Sequence, residues 1–145
     1  MAVFRGSATG CGNTPEDNQR IRLSMLAKKL ENSENPSNRV LMDAGLVGKP
    51  TRDKKVMGKA IDFFRYNKYK NKIMEKPRMS MNDQSAYKYI IHVDGHVSAY
   101  RLGKELSLGS TILKVESLYN YKLWFDSYLK EDEHYIPVHK NIDNL

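Results

Sequence analysis

The sequence contains one cysteine and one tryptophan in 145 residues. The lone cysteine, Cys11, excludes an intrachain disulfide framework and points to a reducing, cytosol-like compartment. No apolar run approaches the roughly 20 residues that a membrane-spanning helix needs. The start, Met1-Ala2-Val3-Phe4-Arg5, lacks the basic region and apolar stretch of a signal peptide, so a cytoplasmic location is expected. The four histidines, His92, His96, His134 and His139, have no second cysteine or clear acidic partner at ligand spacing, so no zinc site is expected. No internal repeat and no low-complexity tract is present.

Acidic side chains are outnumbered, 17 against 24 basic ones, for a formal net charge of +7. The hydrophobic fraction of 40% fits one domain with a real core. Mean hydropathy is −0.64, so the surface is strongly polar. The positive charge is concentrated. Lys49, Arg52, Lys54, Lys55, Lys59, Arg65, Lys68, Lys70, Lys72, Lys76 and Arg78 fall in one stretch. Phe63, Phe64, Tyr66 and Tyr69 lie among them. Such a stretch can contact nucleic acid, or it can be a solvated helix face with an exposed loop.

Helical and extended patterns alternate along the chain. Ala2 to Phe4 reads as the end of a buried strand, followed by a Gly/Ser/Thr loop to Asn13. Thr14, with Pro15 after it and Asp17 three positions on, predicts a helix start. Ile21, Met25, Leu26 and Leu30 would line its apolar face, and the stretch Asn32 to Asn38 would end it. Arg39 to Val47 is extended. Ser80 or Asn82 caps a short helix through Ser85. Tyr87 to Val93 is the clearest strand, bounded by Asp94-Gly95. Ser98 to Leu108 reads as a helix closed by Gly109. Ser110 to Val115 reads as a strand and Leu118 to Leu129 as an aromatic-rich helix. Tyr135 to Val138 is a last short strand, placed at an edge by Pro137. Strands alternating with helices predict an α/β fold, a Rossmann-like parallel sheet with flanking helices. Ligands in such sheets bind beyond the carboxyl ends of the strands.

Two segments at such ends carry anion-binding chemistry. The first is Arg5-Gly6-Ser7-Ala8-Thr9-Gly10, whose glycines allow close backbone approach and whose hydroxyls are donors. It is neither a Walker A loop nor a GxGxxG fingerprint, and by composition alone an ordinary loop is favoured over a phosphate cradle. The second runs from Asp94 to Arg101, a turn into a helix that ends on an arginine. Arg101 can pair with a diphosphate, or form a salt bridge with Glu105 at i+4. His92, alternating with apolar neighbours, reads as a packed residue. Cys11 precedes a helix start, yet no His–Cys pair accompanies it, so it reads as an unreactive thiol. The aromatic residues from Tyr119 to Tyr128 can stack on a base or pack in the core.

Phe4-Arg5-Gly6-Ser7, Tyr87-Lys88-Tyr89, Asp94-Gly95, Ala99-Tyr100-Arg101-Leu102, Gly109-Ser110, Lys114 and His134-Tyr135-Ile136-Pro137-Val138 occur in the order typical of glycosyltransferase family 90. The chain resembles this family from Ala2 to about Asn144. Its Gly6-Ser7-Ala8-Thr9-Gly10-Cys11-Gly12 variant is most similar to members encoded by large DNA viruses, which would place it in a host cytoplasm. The resemblance implies the C-terminal, donor-binding half of a GT-B enzyme that transfers a sugar from a UDP-sugar to a hydroxyl. It implies no essential metal and no cofactor beyond that donor. By motif, Ser7 would contact the diphosphate, and Arg20, or its neighbour Arg22, would be the next contact. His96, Val97, Ser98, Ala99 and Tyr100 would supply backbone and small-side-chain contacts, and Arg101 would pair with the diphosphate. An inverting transferase also needs an acidic general base. No Asp or Glu here matches the family's base, so no catalytic residue is assigned. The resemblance therefore implies a single domain over residues 1–145, truncated at both ends relative to the family and weakly active or inactive alone. An acceptor-domain polypeptide would be its partner. The alternative is a basic nucleic-acid or interaction module on a decayed transferase fold.

Overall fold

The computed structural model describes residues 1–10, 12, 14–48 and 66–145. Five strands form one sheet: β1 (Ala2–Gly6), β2 (Met42–Leu46), β3 (Tyr89–His92), β4 (Thr111–Val115) and β5 (Ile136–Val138). Their order is β2-β1-β3-β4-β5, and every neighbouring pair is parallel. The fold is thus the α/β, Rossmann-like sheet that the sequence predicts. The chain steps from β1 to β2 on one side, then crosses back to β3 on the other. The junction of β1 and β3 is therefore the switch point, where the outgoing loops diverge and leave a crevice.

Parallel strands covered on both faces must be apolar on both faces. Helix α1 (Gln19–Glu31) sets Ile21, Leu23 and Ala27 against Phe4, Ala44, Leu46 and Ile91 on one face. On the other, Leu102 of α5 (Leu102–Leu106) and Leu123 pack on Val3, Ile90 and Ile112. The register aligns these residues, with Val3 opposite Ile90 and Ile90 opposite Ile112. Burying each such Leu or Ile contributes about 1.5–3 kcal/mol. Three four-residue helices complete the set: α2 (Pro36–Arg39), α3 (Tyr66–Tyr69) and α4 (Met81–Gln84). Ser80 caps α4 in a reciprocal box with Asp83. Strand β5 is an edge, where Pro137 is tolerated. No helix among the described residues is long and apolar enough to cross a membrane.

A buried ion pair joins β1 to β2. Arg5 Nη2 donates to both carboxylate oxygens of Asp43 at 2.9 Å, and its Nη1 donates to the Asp43 carbonyl at 2.7 Å. Tyr87, just before β3, donates its hydroxyl to Asp43 Oδ2 at 2.6 Å.

Three helix expectations change. The helix after β1 starts at Gln19, not at Thr14. Thr14 spends its N–H and hydroxyl on Asp17 Oδ1, which closes a separate turn. Asn18 is the cap, accepting from the N–H groups of Arg20 and Ile21. The helix expected from Ser98 begins only at Leu102, with Arg101 at its cap position. The helix expected over Leu118 to Leu129 is absent. A single 3-10 turn, Asp126–Tyr128, stands there. Asn120 takes a positive φ of 56° that an α-helix does not allow. Asp126 Oδ2 accepts from the Leu123 N–H at 2.6 Å and so fixes a local turn.

Candidate functional site

Two loops meet at the switch point. One leaves β1 through Ser7 to Gly10, and the other leaves β3 from Val93 to Arg101. Arg20, from the first turn of α1, joins them. Its Nε donates to the Asp94 carbonyl at 2.7 Å and its Nη2 to the Val93 carbonyl at 3.1 Å. Its Nη1 donates to the Ser7 carbonyl at 3.0 Å and the Thr9 hydroxyl at 2.8 Å. His96 adds a further tie, its Nδ1 lying 2.9 Å from the Gly10 carbonyl oxygen. The loops leave little room for a side chain at two glycines. A Cβ on Gly10 would lie 2.5 Å from Asn18 Nδ2, and one on Gly95 would lie 3.2 Å from Thr9 Oγ1.

Arg101 stands beside these loops. Its Nε lies 2.8 Å from Glu105 Oε1 as an ion pair, without the alignment of a hydrogen bond. Its Nη1 donates to the Arg5 carbonyl. Among the described residues its Nη2 makes no hydrogen bond. Arg101 and Arg20 both approach the Phe4 ring, with Cζ atoms 5.2 and 5.8 Å from its centroid. Burial, and then the positive charge of Arg101, push the Arg20 pKa down to about 9. Arg20 therefore stays charged at neutral pH, and the two guanidiniums crowd each other. Such a pair favours an anion.

Arg101 and Ser7 open onto one cleft of about 220 Å³. Arg5, Gly6, Val47, Arg78 and Gln84 are among its other walls. Ser7 is exposed, and its hydroxyl makes no hydrogen bond among the described residues. Arg78 is exposed on the rim with no ion pair among the described residues. A separate small recess of about 10 Å³ is lined by Gly10, Asp94, Gly95, Tyr119 and Tyr121. One Asp94 carboxylate oxygen is buried there without a hydrogen-bond partner.

The structure places the sequence-derived candidates unevenly. Ser7 and Arg101 share the cleft. Arg20 lies behind them as a buried brace. Arg22 is turned away, donating to the carbonyls of Pro15 and Glu16. His96, Val97, Ser98, Ala99 and Tyr100 form a turn rather than the first turn of a helix, and Val97 and Tyr100 are exposed. Guanidiniums and hydroxyls are the groups here that could meet an anion, because a five-residue helix contributes little dipole. Arg101 makes the i+4 ion pair with Glu105, the salt-bridge reading of that residue. His92 is buried, as its alternation suggests, and contacts Glu105 Oε2 through Nδ1 at 2.5 Å. Arg78 is a site residue that the sequence hides, since it reads there as one more charge in a basic stretch. Cys11 and residues 49–65 of that stretch lie outside the described residues. Among the described residues no group of three or more His, Cys, Asp or Glu side chains is placed to hold a metal ion.

A doubly wound parallel sheet with an arginine-lined cleft at its switch point defines an α/β protein of Rossmann-like architecture. The chain belongs to glycosyl transferase family 90, whose model matches residues 16–145. It is similar to uncharacterized protein 035R of Invertebrate iridescent virus 3, 38% identical over 99% of this chain and 12% of that protein. Uncharacterized protein 027R of Frog virus 3 is 34% identical, over all of this chain and 15% of that protein. Protein O-glucosyltransferase 3 of Mus musculus is 31% identical, over 88% of this chain and 20% of that protein. The chain thus spans between an eighth and a fifth of the length of these relatives. The family match begins after β1, while the viral matches extend over nearly the whole chain.

Proposed function

We propose that this chain is the donor-binding portion of a glycosyltransferase, and that it holds a UDP-sugar by its diphosphate at the mouth of β1 and β3. Arg101 pairs with the diphosphate through the free face of its guanidinium, and the Ser7 hydroxyl donates to a phosphate oxygen. The 96–100 turn contributes backbone and small-side-chain contacts. Arg20 adds charge from behind and fixes both loops. Sugar transfer leaves negative charge on the departing UDP, and prepositioned guanidiniums stabilise that charge as it develops. The charge can be met in this way without a metal. The architecture would be GT-B, with acceptor binding and the general base contributed from outside residues 1–145 as a second half or a partner chain. No catalytic role is assigned to any residue of this chain.

One observation carries this reading: the unspent hydrogen-bonding groups of Ser7 and Arg101 converge on a single cleft at the switch point. The test is calorimetric titration with UDP-glucose and UDP-xylose. Saturable binding is expected, weakened at least about tenfold in Arg101→Ala, in line with loss of a charge-assisted contact. Absence of binding for every UDP-sugar at millimolar concentration would refute the proposal.

A further inference from the structure

We infer that Glu105 and His92 are positioning residues that set the guanidinium of Arg101 toward the cleft; this rests on the diphosphate reading above. Glu105 is fully buried, yet it is a carboxylate. Such a group is retained inside a protein only if both oxygens are engaged. Here Oε2 meets His92 Nδ1 at 2.5 Å, and Oε1 is engaged by charge alone, in an ion pair with Arg101 Nε at 2.8 Å that lacks hydrogen-bond alignment. His92 is on β3, within the sheet, and nearly as buried as Glu105. The chain of contacts runs from the rigid sheet, through a carboxylate with no access to water, to a guanidinium at the cleft wall.

The consequence for Arg101 is geometric. An arginine side chain has four rotatable bonds and ordinarily wanders. Here Nε is anchored by Glu105 and Nη1 by the Arg5 carbonyl, so the planar group has two fixed points. The remaining edge, Nη2, is then directed by exclusion. A guanidinium held in this way binds a diphosphate without first losing its own freedom. Helix α5 also packs on the sheet through Leu102, apart from this contact.

A geometric role and a charge role predict different variants. In Glu105→Gln the side-chain oxygen stays beside Arg101 Nε, and the amide can donate to the other tautomer of His92. Shape is kept while charge is lost. In Glu105→Ala the Nε anchor of Arg101 goes together with the contact to His92, and the Arg5 carbonyl alone still holds the guanidinium. UDP and inorganic pyrophosphate are titrated into the full chain and its variants. Glu105→Ala should weaken both ligands about tenfold, and Glu105→Gln should stay within about threefold of the unsubstituted chain. In an Arg101→Ala background, Glu105→Ala should add no further loss. Undiminished binding in Glu105→Ala, or an equal loss with Arg101 already removed, would overturn the inference. Loss of folding in Glu105→Ala is covered by a ligand-free readout, the Nε–H resonance of Arg101 in the unsubstituted chain. It should exchange slowly with water and stand apart from the exposed arginines, and coincidence with them would overturn the inference. If the unsubstituted chain binds neither ligand, the donor reading fails while the Nε–H resonance still decides the positioning.

Discussion

Replacing Asp43 with asparagine tests the buried charge that locks β1 to β2. The Arg5 side chain is only 5% exposed and that of Asp43 19%. Arg5 donates to Asp43 through both carboxylate oxygens, while its Nε reaches the Pro77 carbonyl at 3.2 Å. The Tyr87 hydroxyl and the Lys76 ammonium, 3.6 Å away, add to the same carboxylate. The amide of Asp43→Asn would keep the shape and one acceptor. It would leave one donor of Arg5 or Tyr87 unmatched, and a buried guanidinium without its counter-charge. The cost is about 2–4 kcal/mol. For a chain of this size that is a drop in melting temperature of roughly 6–12 °C. Burial raises the Asp43 carboxyl pKa, but hydrogen bonds from Arg5 and Tyr87 and the charges of Arg5 and Lys76 outweigh it and hold the pKa below the ordinary value. A carboxyl depressed in the folded state stabilises above its unfolded pKa, and loses that contribution as pH falls through the folded one. The gap between the unsubstituted chain and Asp43→Asn should therefore be widest at neutral pH and close below about pH 4. Thermal melts followed by circular dichroism across this range read both effects. A loss under about 2 °C at neutral pH, or a gap that does not narrow in acid, would refute the argument.

Two further outcomes follow from the site. Gly10→Ala should drive a Cβ into Asn18, the cap of α1, and cost about 1–2 kcal/mol in a denaturant titration; an unchanged midpoint would contradict it. Arg78→Ala should weaken UDP roughly fivefold and flatten the salt dependence of binding while the melting temperature stays put, because the side chain is exposed and makes no ion pair among the described residues.

The sheet was legible because its strands are short apolar runs bounded by turn residues. Tyr87 to Val93 and Ser110 to Val115 each contain an observed strand. The helices were less so, for local reasons. Thr14-Pro15 has the composition of a helix start, but Asp17 captures Thr14, and Asn18 is left to cap the helix. The aromatic residues from Tyr119 to Tyr128 sit at helical spacing without a helix. Trp124 is 84% exposed and Tyr128 74%, so most of that spacing serves no core contact. In the site, Ser7 could be singled out because it directly follows β1, and Arg101 because it closes the loop that leads from β3 into α5. The link from Arg101 to His92 was half visible: the i+4 spacing gives Glu105, but only the parallel pairing of β3 brings in a side chain 13 residues from Glu105.

The four hydrogen bonds of Arg20 have a consequence for how the protein meets a ligand. They make the two loops a single stiff rim, so binding should proceed as docking onto a finished surface. The association rate would then follow charge and encounter rather than a slow rearrangement. Any closing motion in a working transferase must come from whatever faces this rim, because the rim has no slack of its own to contribute.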